Sequence, residues 1–329
     1  VQALQYVRRR KGGRKTYSVS LETMVLCLAS PEEDRLLISE NVGWLQRNQI
    51  TKGPRSGAWS YGEAAEGPGG GDPSNTQFAM LALYEAERIG ITVQDTVWRR
   101  ALGYWTRQQR NDGSWGYSPD MPASGSMTCA GIASLIIAQG RLGGATSSIE
   151  KGAIQCCGGD QAENDPIADG IDWLSQRFSV EANPSGGAGT YFYYLYAIER
   201  AGRLTGQRFF GGHDWYREGA EKLIQEQDDF QGFWSNADWE PPAVATSFAL
   251  LFLSKGKRQV VVGGLQRDNV QRSEWQPHPD ALRQLVRHVE RAWGRDLTWQ
   301  TVRLEDASLE DMLQTPVLVI SGKAVSYTH

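Results

Sequence analysis

The feature that most constrains this chain is a period. Four segments, NTQFAMLALYEAE, MTCAGIASLIIAQ, GTYFYYLYAIERAG and ATSFALLFLSKG, open alike and continue as apolar runs. A fifth, SLETMVLCLAS, fits more loosely. Aligned at Leu21, Thr76, Thr128, Thr190 and Thr246, they are spaced by 55, 52, 62 and 56 residues. Such a period predicts stacked two-helix units, because one unit cannot bury its apolar face alone. Each segment is apolar nearly all round, the pattern of a buried helix. Between them lie ENVGWLQRNQ, RRALGYWTRQQ, GIDWLSQRF and REGAEKLIQEQ. These carry an apolar stripe at helical spacing with charge on the opposite face. The alternation of wet-faced and buried helices predicts two concentric layers.

The connections between the two helix types also repeat. SGAWSYG, DGSWGYSP and QGFWSNADW each place Gly-x-Trp shortly after a glutamine. Glycine permits a tight reversal. The tryptophan supplies a large apolar plate whose indole N–H can be satisfied at the turn. A glutamine at the helix end can bond backbone groups of the adjacent helix. These residues read as turn staples; a ligand-contact role for Trp59, Trp115 and Trp234 is the competing reading.

Composition supports a globular repeat protein. The 329 residues are 40% hydrophobic and 22% charged, enough for a sizeable core. A net charge of −4 gives no global basic field for nucleic acid. The cluster Arg8, Arg9, Arg10, Lys11, Arg14 and Lys15 is local and glycine-broken, and reads as a solvated loop. The four cysteines are Cys27, Cys129, Cys156 and Cys157. The adjacent pair cannot easily bridge, and nothing resembles a secreted disulfide framework. No run reaches the roughly 18 apolar residues of a membrane span, and no signal peptide is visible. A chain starting at Val1 and stopping on SGKAVSYTH is expected to be a fragment cut at both ends.

The turn motifs resemble the QW repeat of squalene cyclases and their relatives, the prenyltransferase and squalene oxidase repeat superfamily. Arg100, Ala101, Tyr104, Gln109, Gly113 and Trp115 match the repeat, with Trp105 at the aliphatic position. Trp44, Leu45, Gln49, Gly57 and Trp59 form a second copy with a longer insert. Gln227, Gly232 and Trp234 form a third, preceded by Leu223. A fourth, around Trp173 and Leu174, has lost both Gln and Gly-x-Trp. The resemblance covers roughly residues 1–256 and implies an all-α fold: an α/α toroid of helical-hairpin repeats whose inner helices ring an apolar cavity. More narrowly, SNTQFA, SMTCAG and GGHDWYREGAE are similar in style to bacterial proteins that join such repeats to a further C-terminal domain. That closer likeness implies no established activity, and it leaves the compartment open between bacterial cytoplasm and periplasm.

The resemblance sharpens the reading of GGGDPSNTQFA. Squalene-hopene cyclases carry Asp-x-Asp-Asp-Thr-Ala at an inner-helix start, and the middle Asp protonates an alkene. With Thr76 on the motif's Thr, Asp72 falls on the first Asp, Ser74 on the donor and Asn75 on the last Asp. Alkene protonation needs a strong acid in a dry apolar site, and a serine hydroxyl is far too weak. Asp72 remains a candidate catalytic residue. The competing reading is that Asp72, Ser74 or Asn75 caps the helix. The second aligned residues are Glu22, Gln77, Cys129, Tyr191 and Ser247, expected near one rim of the cavity. Glu22, the one formal charge, is the second catalytic candidate; its alternative is a hydrogen-bonded carboxylate at the helix start. Gln77, Cys129, Tyr191, Tyr194 and Phe248 are candidate substrate-binding residues. Aromatic faces stabilise carbocations in cyclases by cation–π attraction, although aromatics at helical spacing are usually core. Protein prenyltransferases of the superfamily use an Asp, Cys and His zinc site. Cys129 has a plausible position, but of His213, His278, His288 and His329 only His213 lies in the repeats, and a catalytic zinc needs converging ligands. Neither metal nor cofactor is assigned. Asp228 and Asp229 read as solvated turn residues.

The period stops after Lys255. VVVGGL, PDALRQLVRHVERAWG, LTWQTVRL, SLEDMLQ and PVLVISG read as strand, helix, strand, capped helical turn and strand. That order predicts an open parallel sheet over 257–329, resembling the start of a flavodoxin-like α/β domain and C-terminally truncated. Two functions follow. One is a cyclase-like or prenyltransferase-like toroid that binds an isoprenoid or other apolar chain in its cavity, with the catalytic acid and zinc ligands not intact. The other is a non-catalytic toroid used as a protein-binding or scaffold module. Peripheral membrane contact and the oligomeric state stay open.

Overall fold

The computed structural model describes residues 2–9, 13–63, 70–142, 148–150, 153–155, 165–186, 188–236, 240–266 and 281–321. Arg10, Lys11, Cys156, Cys157, His278 and His329 lie outside these. The described chain forms two compact units. The first takes in 1–111, 115–122 and 130–144; the second takes in 112–114, 123–129 and 145–329.

The first unit is built from helices. They are α1 (Gln2–Arg9), α2 (Thr16–Ala29), α3 (Arg35–Arg47), α4 (Pro73–Arg88), α5 (Asp95–Gln108) and most of α6 (Gly125–Leu142). Helix α2 packs against α4, and α3 packs against both. Pro73 occupies the first turn of α4, where its missing N–H costs nothing. From Pro73 to Tyr84 every residue of α4 is buried, as its all-round apolar pattern predicts. Helix α2 departs from expectation in two ways. It begins at Thr16, five residues before the aligned Leu21, because Thr16 ties its first turn to another loop. The Thr16 N–H donates to Tyr61 O at 3.1 Å and its hydroxyl to Ser60 O at 2.5 Å. One stripe of α2, Leu21, Val25 and Leu28, is also exposed, Leu28 to 80%.

The tryptophan turns hold their hairpins by main-chain acceptors. Trp59 Nε1 donates to Leu45 O at 2.7 Å, and Trp115 Nε1 donates to Trp105 O at 2.9 Å. In the second unit, Trp234 Nε1 donates to Leu223 O at 2.7 Å. All three indoles are buried. The Thr of the following buried helix closes the turn from the other side. Thr76 Oγ1 accepts from the Trp59 backbone N–H at 2.9 Å, and Thr246 Oγ1 from that of Trp234 at 3.0 Å. Gln49 Nε2 bonds Gly57 O and Val97 O at 3.2 and 3.0 Å, and Gln227 Nε2 bonds Gly232 O at 2.7 Å. Gly57 has φ +101°, and a Cβ there would lie 2.0 Å from Arg100 O of α5. Only glycine meets both demands.

The second unit continues the helical pattern and then changes class. A two-stranded antiparallel hairpin, β1 (Ser148–Glu150) and β2 (Ala153–Gln155), precedes α7 (Pro166–Arg177), α8 (Tyr191–Thr205), α9 (Trp215–Glu226) and α10 (Pro242–Leu253). Nothing in the sequence pattern anticipates that hairpin. Helix α8 packs against α9 and α10. Gly202 on α8 admits the Trp215 indole, which would lie 2.4 Å from a Cβ there. Helix α10 buries Ala245, Ala249 and Phe252 but exposes Val244, Leu250 and Leu251, against the all-round burial its sequence predicts.

Beyond α10 come β3 (Gln259–Gln266), α11 (Ala281–Trp293), β4 (Leu297–Arg303), α12 (Leu309–Leu313) and β5 (Val317–Val319). The three strands form a parallel sheet in the order β4-β3-β5. Val262, Leu282, Val286, Leu297 and Trp299 make its core against α11. Ser308 caps α12 through a reciprocal capping box with Asp311. Gln207, just past α8, bridges in parallel to Thr301 and extends the edge of β4.

Candidate functional site

Asp72 sits at the N-cap of α4 and is 7% exposed. Its Oδ1 accepts from the Asn75 N–H at 2.7 Å and from Asn75 Nδ2 at 3.0 Å. Its Oδ2 accepts from the Tyr117 hydroxyl. Its backbone N–H donates to Trp59 O at 2.8 Å. Every side-chain contact uses Asp72 as an acceptor. It caps a helix whose terminal N–H groups need a partner, and it orients one phenol. The Ser74 hydroxyl, at the position of the cyclase donor, accepts from Tyr17 Oη at 2.5 Å.

Three phenols therefore gather around the start of α4. Tyr17 comes from α2, Tyr61 follows Trp59 by two residues, and Tyr117 follows Trp115 by two residues. Tyr61 and Tyr117 hydroxyls lie 3.5 Å apart. The Tyr17 ring is 5.9 Å from that of Tyr61 and meets Phe78 edge-on at 5.1 Å. Tyr61 and Tyr117 are exposed, so the cluster has a wet side. Burial pushes the Tyr17 phenol well up, and burial together with the bond to Asp72 does the same at Tyr117. Both stay neutral donors. The sequence carried a signal for two of these rings, since WSY and WGY share the tyrosine two places after the tryptophan; the Gly-x-Trp motif ends two residues short of it.

The other candidates fall elsewhere. Glu22 lies half-buried on α2, and none of the Asp72 hydrogen bonds reaches it. Gln77 is fully buried in α4, one turn beyond the cap. In the second unit, Cys129 is fully buried, and burial raises its thiol well above the ordinary range. An apolar, fully buried position of that kind favours the neutral thiol. Among the described residues no group of three or more His, Cys, Asp or Glu could hold a metal. His213 faces Glu218 instead, Nδ1 to carboxylate at 3.0 Å.

Burial and then the nearby Cys129 raise the Tyr194 phenol well above its ordinary range. Tyr194 Oη donates to Ser179 O at 3.1 Å, and Tyr191 Oη donates to Val180 O at 2.8 Å. Their rings are thus anchored by one loop. Phe248 of α10 packs on Tyr193 and Tyr196, centroids 5.8 and 5.3 Å away. Glu240, missed in the sequence, holds the start of α8. Its carboxylate accepts from the Phe192 and Tyr193 N–H groups at 2.9 and 2.7 Å. Burial raises its pKa against those stabilising bonds.

No family model matches the chain, and no curated protein matches it. Among solved structures, Candida albicans protein geranylgeranyltransferase-I complexed with GGPP is similar at a TM-score of 0.47 and 14% identity, over 73% of this chain. The chain spans 66% of that structure's length, and the likeness is too slight to assign an activity.

Proposed function

We propose that this chain is a toroidal helical-hairpin repeat protein of the squalene-cyclase and prenyltransferase type that holds an isoprenoid or other apolar chain without proton-initiated cyclisation. The domain division at 256/257 and the flavodoxin-like character of the C-terminal segment belong to the same proposal. The observation that carries it is the state of Asp72. Its carboxylate accepts from Asn75 and Tyr117, the role of a cap, and Ser74 stands at the position of the cyclase donor. Of the aromatic side chains there, Tyr191, Tyr193 and Phe248 are partly exposed and are the ones offered to a chain ligand in this reading. The test is thermal unfolding of the purified protein with a long-chain isoprenoid alcohol, since a ligand for the folded state alone raises its stability. A saturable rise in Tm supports the reading; no rise at the ligand's solubility limit contradicts it.

The second reading, a protein-binding module, is favoured by one observation. Leu21, Val25 and Leu28 present an exposed apolar stripe on α2, and such patches mark association surfaces. No described helix is long and apolar enough to cross a membrane.

A further inference from the structure

A cleft in the second unit is lined by basic, aromatic and amide side chains. It lies where the end of α8, the 3-10 turn Ser254–Lys257 and strand β4 meet, and its walls include Arg203, Arg208, Trp215, Lys255, Trp299 and Gln300. None of its lining residues is acidic. The nearby carboxylates are spent on the arginines. Asp214 and Asp311 hold Arg208 Nη2 at 2.7 and 3.2 Å, and Glu199 lies 3.7 Å from Arg203 Nε. Lys255 lies against two aromatic faces: its Nζ is 4.4 Å from the Tyr216 centroid and 5.0 Å from that of Trp215. Cation–π contact fixes an ammonium without consuming its N–H donors.

Two further donors at the cleft lack an acceptor. Gln300 is 4% exposed and its Nε2 is buried without a hydrogen-bond partner; so is Arg208 Nε. Buried donors left unpaired are costly and rare. We propose that this cleft binds a small oxyanion, a phosphate group, through Lys255, Arg208 and Gln300. An oxyanion accepts from all three at once, and charge-assisted bonds to it are the strong kind. Burial, then the neighbouring Arg208, lowers the Lys255 pKa to about 8, while Asp214 and Glu199 oppose the shift. A bound oxyanion beside the ammonium would offset that cost of burial. The site is independent of Asp72 and of any apolar ligand.

The experiment is thermal unfolding of the whole chain titrated with inorganic phosphate, against chloride at matched ionic strength, because phosphate also stabilises proteins by exclusion from their surfaces. The expected result is a saturable rise in Tm whose half-point moves at least tenfold in Lys255→Met. Gln300→Glu supplies an internal carboxylate and should raise Tm in phosphate-free buffer while abolishing the response. A non-saturable response of equal size in wild type and Lys255→Met overturns the proposal. Should either variant fail to fold, NMR titration of the wild-type Lys255 amine decides: its pKa should rise in phosphate, and an unmoved pKa overturns the site. Phenyl phosphate in the same titration distinguishes a free ion from a phosphate borne on a larger molecule.

Discussion

Helices α4 and α10 have the same kind of sequence and different surroundings. Both are apolar nearly all round. Helix α4 packs against α2 and α3, lies under the Trp59 turn, and is buried from Pro73 to Tyr84. Helix α10 packs against α8 and α9 and buries Ala245, Ala249 and Phe252, leaving Leu250 55% exposed. Apolar periodicity states what a helix can bury; the neighbours on each face decide what it does bury. The stabilising effect of an apolar side chain should therefore follow position in the stack, not hydrophobicity.

The largest effect that sharpens this contrast is expected at the staples. Trp115 is fully buried, bonded to Trp105 O, and seated where a Cβ on Gly131 would come within 2.4 Å of its ring. Trp115→Ala should cost about 3–5 kcal/mol in urea unfolding. In α4, Leu83→Ala should cost about 2–5 kcal/mol, the range for a buried leucine. Glu240→Ala removes the acceptor of two N–H groups at the start of α8, and orphaned donors of that kind cost about 1–3 kcal/mol each at most; a loss of far-UV helicity should accompany the drop in Tm. Asp72→Ala removes a cap worth about 0.5–2 kcal/mol, whereas Asp72→Asn, which caps about as well, should leave Tm nearly unchanged. The smallest effect is the control: Leu250→Ala in α10 should stay within about 0.5 kcal/mol. If Leu250→Ala matched Leu83→Ala, the contrast between the two helices would be wrong.

Much of this arrangement was legible in the sequence. Gly-x-Trp after glutamine named the stapled turns, because a tight reversal and a satisfied indole both follow from residue type. The strand and helix order after Lys255 was legible because β-branched runs alternate with one amphipathic helix. What was not legible depended on contacts between distant residues. Helix α2 starts at Thr16 because its hydroxyl reaches Ser60 O, which no local pattern encodes. That the Tyr117 hydroxyl reaches the Asp72 carboxylate is likewise a contact between distant residues. Glu22 and Asp72, proposed for related roles, share no bond. Gln300 and Lys255 come from segments with no common motif, so their cleft had no sequence signature.

The most direct test concerns Asp72. Asp72, as a cap and an acceptor for Tyr117, is proposed not to be the proton source of a cyclase. Purified protein incubated with squalene and assayed by mass spectrometry should yield no cyclised product, in wild type and in Asp72→Asn alike. A cyclised product made by wild type and lost in Asp72→Asn, at unchanged stability, would contradict this and make Asp72 the acid.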